Sequence, residues 1–216
     1  MKAYESLAAV MGYPQADISG KVTACLNLLR DQYREANSRL ESFEKYIIST
    51  ELDSLRELYT VTFDLNPVCT LDVGYHVFGE SYKRGAFLAG LQRSLREHGL
   101  EAGTELPDHL TVVLRLLARI ESGEDRSALV ELILVPALAR MKKAFEGGDN
   151  PYAEVIRAVD LVIRQDHDIE EPEATVTQAD LSFFGERFTS QGCPDGGSDR
   201  ESGPPGCPLD GHCPGE

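Results

Sequence analysis

Glu105-Leu106-Pro107-Asp108-His109-Leu110 opens the stretch whose reading decides the fold. Pro107 has no N–H to lose and its φ is already helical, so it fits the first position of a helix. Asp108 then falls in the first turn, where a carboxylate meets free backbone N–H groups and the positive end of the helix dipole. From Leu110 the apolar residues run Leu110, Val113, Leu114, Leu117 and Ile120, which is helical spacing on a single face. This spacing predicts a buried helix beginning at Pro107. Asp108 and His109 would stand side by side at its start, next to an apolar groove.

The same period extends in both directions. Upstream, Tyr4 to Val10 read as a short helix ended by Gly12 and Pro14. Val22, Cys25, Leu26, Leu29 and Tyr33 follow from an N-cap at Asp17 or Ser19. Leu40, Phe43, Tyr46 and Ile47 mark a third helix, and Leu52, Leu55, Leu58, Tyr59, Thr62 and Phe63 a fourth. Asp64-Leu65-Asn66-Pro67 stops it, because Pro67 biases Asn66 away from helical angles. Val68 to Gly79 reads as a loop or short helix, and helix resumes from about Glu80 to Gly99. Downstream, Arg126 to Phe145 is apolar almost all round, as a central helix is, with Pro136 expected to kink it. Asn150-Pro151 restarts a last stripe through Val155, Ala158, Val159 and Val162. Nothing alternates with period two. The expectation is an all-α, single-domain bundle of roughly seven or more helices. It would span residues 1–188, with a flexible, disordered Gly/Pro/Cys-rich tail over residues 189–216.

Composition narrows the function. A formal charge of −15 argues against nucleic acid, which needs clustered Lys and Arg, and fits a basic partner. Hydrophobic residues at 42% support one substantial core, yet no run is long enough for a membrane span, so no direct membrane insertion is expected. The N-terminus shows no signal-peptide pattern, which makes the cytoplasm the expected compartment. Five cysteines, an odd number, speak against a disulfide framework.

Two groups of residues carry candidate chemistry. The first is Asp108 with His109, a carboxylate and an imidazole suited to recognising a basic or helical peptide, or else a plain helix-start acid beside a structural histidine. Tyr75, His76 and Phe78 form the densest aromatic and imidazole run; they read equally as a groove wall and as a plug between two helices. The second is Cys193, Cys207, His212 and Cys213, soft-metal ligand types in the tail. Their spacing lacks a C-x-x-C knuckle, although Gly192-Cys193-Pro194 and Gly206-Cys207-Pro208 repeat one triplet. A metal carrier or metal-dependent protein using this tail is therefore the alternative from a different class. There is no G-x-x-x-x-G-K-[ST] phosphate loop; Gly123-Glu124-Asp125-Arg126-Ser127 does not qualify.

Three motifs in order resemble a known family: Leu58-Tyr59-Thr60-Val61-Thr62-Phe63-Asp64-Leu65; Tyr75-His76-Val77-Phe78-Gly79-Glu80-Ser81 with Arg84-Gly85; and Glu105-Leu106-Pro107-Asp108-His109-Leu110 with Val112-Val113-Leu114. They look like the NarJ branch of the NarJ/DmsD/TorD redox enzyme maturation chaperones, also known as nitrate reductase delta subunits. The resemblance runs from about Tyr4 to Val162. It implies a TorD/DmsD-like all-α cytoplasmic chaperone, not an enzyme. Such a chaperone binds the N-terminal peptide of a molybdopterin-containing, nitrate reductase-like catalytic subunit. It assists molybdenum cofactor insertion before complex formation or export. The resemblance implies no required cofactor, weak guanine nucleotide binding, and a monomer or domain-swapped dimer. Its Pro-Asp-His motif carries peptide binding over to Pro107, Asp108 and His109 with the adjoining Glu105. It carries it more loosely to Tyr75, His76, Phe78 and Glu80; Asp64 is a further peptide-binding candidate that reads more readily as structural. The tail cysteines match no pattern of that family.

Overall fold

The computed structural model describes residues 2–65, 67–121 and 123–170. They form the helices α1 (Lys2–Met11), α2 (Ile18–Leu29), α3 (Arg34–Ile48), α4 (Leu52–Phe63), α5 (Val73–Phe78), α6 (Tyr82–Glu97) and α7 (Leu110–Leu117). After them come α8 (Glu124–Ala128), a π-helical segment (Leu129–Leu134), α9 (Val135–Ala144) and α10 (Tyr152–Asp166). No strand occurs among the described residues; a single antiparallel bridge joins Asp72 to His109. The all-α expectation is met. The tail residues Cys193, Cys207, His212 and Cys213, and the predicted boundary at 188, lie outside the described residues.

One core runs through the bundle, and α10 ties it together at both ends. It packs most extensively on α3, and also on α9 and α1. At its start, Tyr152 is fully buried within an aromatic cluster, with ring centroids 5.1 Å from Phe43, 5.6 Å from Tyr59 and 5.1 Å from Phe63. Asn150 accepts a hydrogen bond from the Tyr152 N–H at 3.0 Å and donates to Thr62 at 2.7 Å, so the restart read from Asn150-Pro151 also ties α10 to α4. At its end, Asp166 accepts hydrogen bonds from the hydroxyls of Tyr4 and Tyr33, each at 2.6 Å, joining α1 and the α2–α3 turn to α10.

Two expectations need correcting. The long helix over Arg126–Phe145 is not one kinked α-helix. It passes from α8 through the π-helical segment into α9, with the Val135 N–H bonded to the Val130 carbonyl, five residues back. Pro136, just inside α9, brings no N–H and its ring would clash with the carbonyl four residues before it; a widened turn ahead of it relieves that clash. Its interior placement is as expected, with Leu129, Ile133, Leu134 and Leu138 buried.

The second correction concerns the opening stretch. Helix α7 begins at Leu110, not at Pro107, and His109 is its N-cap. The backbone of Asp108 and Leu110 is committed elsewhere: the Asp108 carbonyl accepts from the Val73 N–H at 2.9 Å, and the Leu110 N–H donates to the Leu71 carbonyl at 2.8 Å. This pairing with the segment before α5 holds Pro107 and Asp108 outside the helix. Once started, α7 is buried nearly all round rather than on one face, with only Arg115 partly exposed.

Candidate functional site

The site is built where the turn before α7 meets α5 and the first turn of α6. Asp108 does not meet a helix dipole. Its carboxylate is fully buried, and Arg84 from α6 holds it with Nε 2.9 Å from Oδ2 and Nη2 3.3 Å from Oδ1. The same Nη2 donates to Asp72 Oδ2 at 2.9 Å, on the N-cap of α5. The Arg84 guanidinium also lies over the Tyr75 ring, 5.7 Å from its centroid. One arginine thus joins a buried carboxylate, a partly exposed one and an exposed aromatic ring. Gly74 is what lets the helix come so close. A Cβ there would lie 2.6 Å from Asp108 Oδ2 and 2.9 Å from Phe87 Cδ1. Burial pushes the Asp108 carboxyl above the ordinary range, with Asp72 adding to the rise and the Arg84 hydrogen bonds opposing it.

His109 is buried beside this clamp. Its Nδ1 accepts from the Thr111 backbone N–H at 3.3 Å and lies 2.7 Å from the Thr111 hydroxyl oxygen. That leaves the ring proton on Nε2, which faces Glu105 Oε2 at 3.9 Å. Burial lowers the His109 pKa, while Glu105, Asp72, Asp108 and Asp64 pull it back up. Asp64 at the end of α4 senses the same group: burial and Glu105 raise its pKa, and His109 lowers it. Asp64, Glu105 and His109 therefore form an acidic cluster around one imidazole.

The other predicted residues divide. Tyr75 is exposed, and so are Glu105 and Glu80, the latter in the loop between α5 and α6. Pro107 is half-buried. Phe78 packs inward on Phe87, ring centroids 5.4 Å apart, in the manner of a plug. His76 also turns inward: its Nε2 lies 2.8 Å from the Thr70 carbonyl and 3.8 Å from Cys69 Sγ. Burial lowers its pKa. A nitrogen that donates its proton to a carbonyl cannot take one from a thiol, and burial pushes the Cys69 thiol up to about 12. Cys69 and His76 are therefore not an activated nucleophile and base. Among the described residues no group of three or more His, Cys, Asp or Glu could hold a metal ion. None of the described helices is long and apolar enough to cross a membrane.

Sequence reasoning missed the roles of Arg84 and Asp72. Arg84 stands within a quoted motif, but no local pattern ties it to a carboxylate 24 residues away. A signal did exist: an aspartate directly before a strongly apolar helix, once buried, requires a cation from elsewhere.

Exposed apolar side chains stand on the segments that carry Asp64 and Glu105. Val61 lies three residues before Asp64 and Leu65 directly after it, Val68 follows in the loop after α4, and Leu106 follows Glu105. Leu65 is 63% and Leu106 48% exposed, against the 0% of Asp108. Cavities also lie away from this site, one between α2 and α3 and another between α3 and the end of α10. The fold and site thus define a helical protein with exposed apolar and acidic side chains and a buried ion-paired clamp. A sequence model of the nitrate reductase delta subunit matches residues 28–157, and this chain belongs to that family. It is also 32% identical over 96 residues to the nitrate reductase molybdenum cofactor assembly chaperone NarJ of Escherichia coli K12, and equally to that of strain O157:H7. The matched segment covers 44% of this chain and 40% of either relative.

Proposed function

We propose that this chain is a non-catalytic assembly chaperone for a nitrate reductase-like molybdoenzyme, working in the cytoplasm on the N-terminal segment of the catalytic subunit. The observation that carries the reading is the exposure of Val61, Leu65, Val68, Leu106 and Tyr75 together with the carboxylates Asp64 and Glu105, in a member of this family. An amphipathic, basic segment fits them: its apolar side chains cover the exposed apolar ones and its cations face the carboxylates. The net charge of −15 adds long-range attraction for such a segment. Function follows from occupancy, since a segment held here is kept from folding, assembly or export until the molybdenum cofactor is in place.

Isothermal calorimetry with the N-terminal peptide of the catalytic subunit tests this. Saturable binding that weakens as salt rises is expected, because exposed charges are screened within about 8 Å at physiological ionic strength. No binding at low salt overturns the reading.

A further inference from the structure

We infer that Arg84 is the positioning residue of the peptide site, setting the exposed Tyr75 ring and Asp72 in register with the turn that carries Glu105 and His109. The inference rests on the chaperone reading above and goes beyond it by assigning a role to a side chain that does not itself meet the ligand. The Arg84 side chain spans the three elements of the site. It rises from the first turn of α6, grips the turn before α7 through Asp108, and grips the start of α5 through Asp72. Its guanidinium backs the Tyr75 ring at 5.7 Å. Only 17% of its side chain is exposed, so it serves as a support rather than a contact. The fork matters as much as the charge. Nη2 reaches Asp72 and Asp108 together while Nε holds the second oxygen of Asp108, a division of donors that a lysine ammonium cannot reproduce at the same reach. Gly74, with no room for a Cβ, fixes the height at which α5 sits on that pair. If Arg84 only neutralised a buried acid, its second arm to Asp72 and its stacking on Tyr75 would be without effect on the ligand.

The test measures peptide affinity and thermal stability together for wild type, Arg84→Lys, Asp72→Asn and Tyr75→Leu. Arg84→Lys, which keeps the charge and loses the fork, is expected to raise the peptide Kd by about five- to tenfold. Asp72→Asn leaves the Arg84–Asp108 grip intact and removes only the outer arm. It is expected to raise Kd by a similar factor with little change in melting temperature, because a partly exposed ion pair adds little to stability. It therefore carries the test if Arg84→Lys fails to fold. A positioning role makes the losses of Arg84→Lys and Tyr75→Leu less than additive, since Arg84 acts through that ring.

Direct contact between Asp72 and the ligand is separated by a peptide with its Lys and Arg changed to Gln. Positioning leaves the Asp72→Asn loss in place, whereas loss of the effect overturns the inference. Unchanged Kd in Asp72→Asn also overturns it, as does full additivity with Tyr75→Leu. Failure of wild type to bind removes the chaperone reading and this one with it. Wild-type binding with unaffected variants removes this one only.

Discussion

At the scale of the residue, Gly74 and His109 show how little room the clamp leaves. Alanine at Gly74 would press a methyl to 2.6 Å from Asp108 Oδ2 and 2.9 Å from Phe87. Neither neighbour can yield without breaking the Arg84 bonds or the buried ring packing, so Gly74→Ala is expected to destabilise by about 1–3 kcal/mol, as overpacking does. Equilibrium denaturation checks it, and a change below about 0.5 kcal/mol would show that α5 shifts freely. His109 acts by its Nδ1, the acceptor for Thr111 N–H. His109→Ala leaves that donor unmet at the start of α7 and is expected to lose about 1 kcal/mol in the same measurement. Asp108 illustrates a residue whose importance could be read but whose surroundings could not. Its place beside a helix start was visible in the sequence. Its burial and its pairing with Arg84 came from a segment 24 residues away, which no local spacing reports.

At the scale of the element, α10 holds the bundle through Tyr152 at one end and Asp166 at the other. The Tyr152 hydroxyl is buried with no hydrogen-bond partner among the described residues. Burying such a group costs about 1–3 kcal/mol, so Tyr152→Phe, which keeps the ring among Phe43, Tyr59 and Phe63, is expected to raise stability by about 1 kcal/mol. A melting temperature that falls instead would mean that the hydroxyl is satisfied in solution. Most elements were legible because apolar spacing is local: α1, α4, α6 and α10 begin and end close to where the sequence places them, whereas Tyr33, read on the second helix's stripe, is the N-cap of α3, which starts at Arg34 and not at Leu40. The segment before Gly79 was open between loop and helix because six residues are too few to show a period; contacts with α6 and α9 settle α5. The helix start at Leu110 was misread for a related reason. A proline followed by an acid satisfies the local rule, yet the tertiary bridge between Asp72 and His109 claims the backbone first.

At the scale of the molecule, the sign of the pH dependence follows from its buried imidazoles. His76, His109 and His167 all have lowered pKa values, burial being the largest cause in each. Below the unfolded value of about 6.5 the unfolded chain takes up protons that the folded chain declines, so their contribution is full above that pH and is lost as pH falls. Asp64 and Asp108, both raised mainly by burial, act in the opposite sense: they favour the folded state below the unfolded carboxylate value and less as pH rises past it. Between about pH 7.5 and about pH 5.5 the three histidines are expected to dominate, giving a lower melting temperature at the acid end. His109→Gln should flatten that slope; a slope unchanged by it, or stability rising toward acid, would refute the assignment. By itself the sequence determined the helical class, the position of most helices and the turn around which the site is built. All of these follow from spacing and capping within a few neighbouring residues. Only the tertiary structure decided that Asp108 is buried, that Arg84 and Asp72 complete the clamp, and that Val61, Leu65, Val68 and Leu106, not the Asp–His pair, are exposed. Burial and ion pairing depend on which distant segments pack together, and chain neighbours carry no record of that.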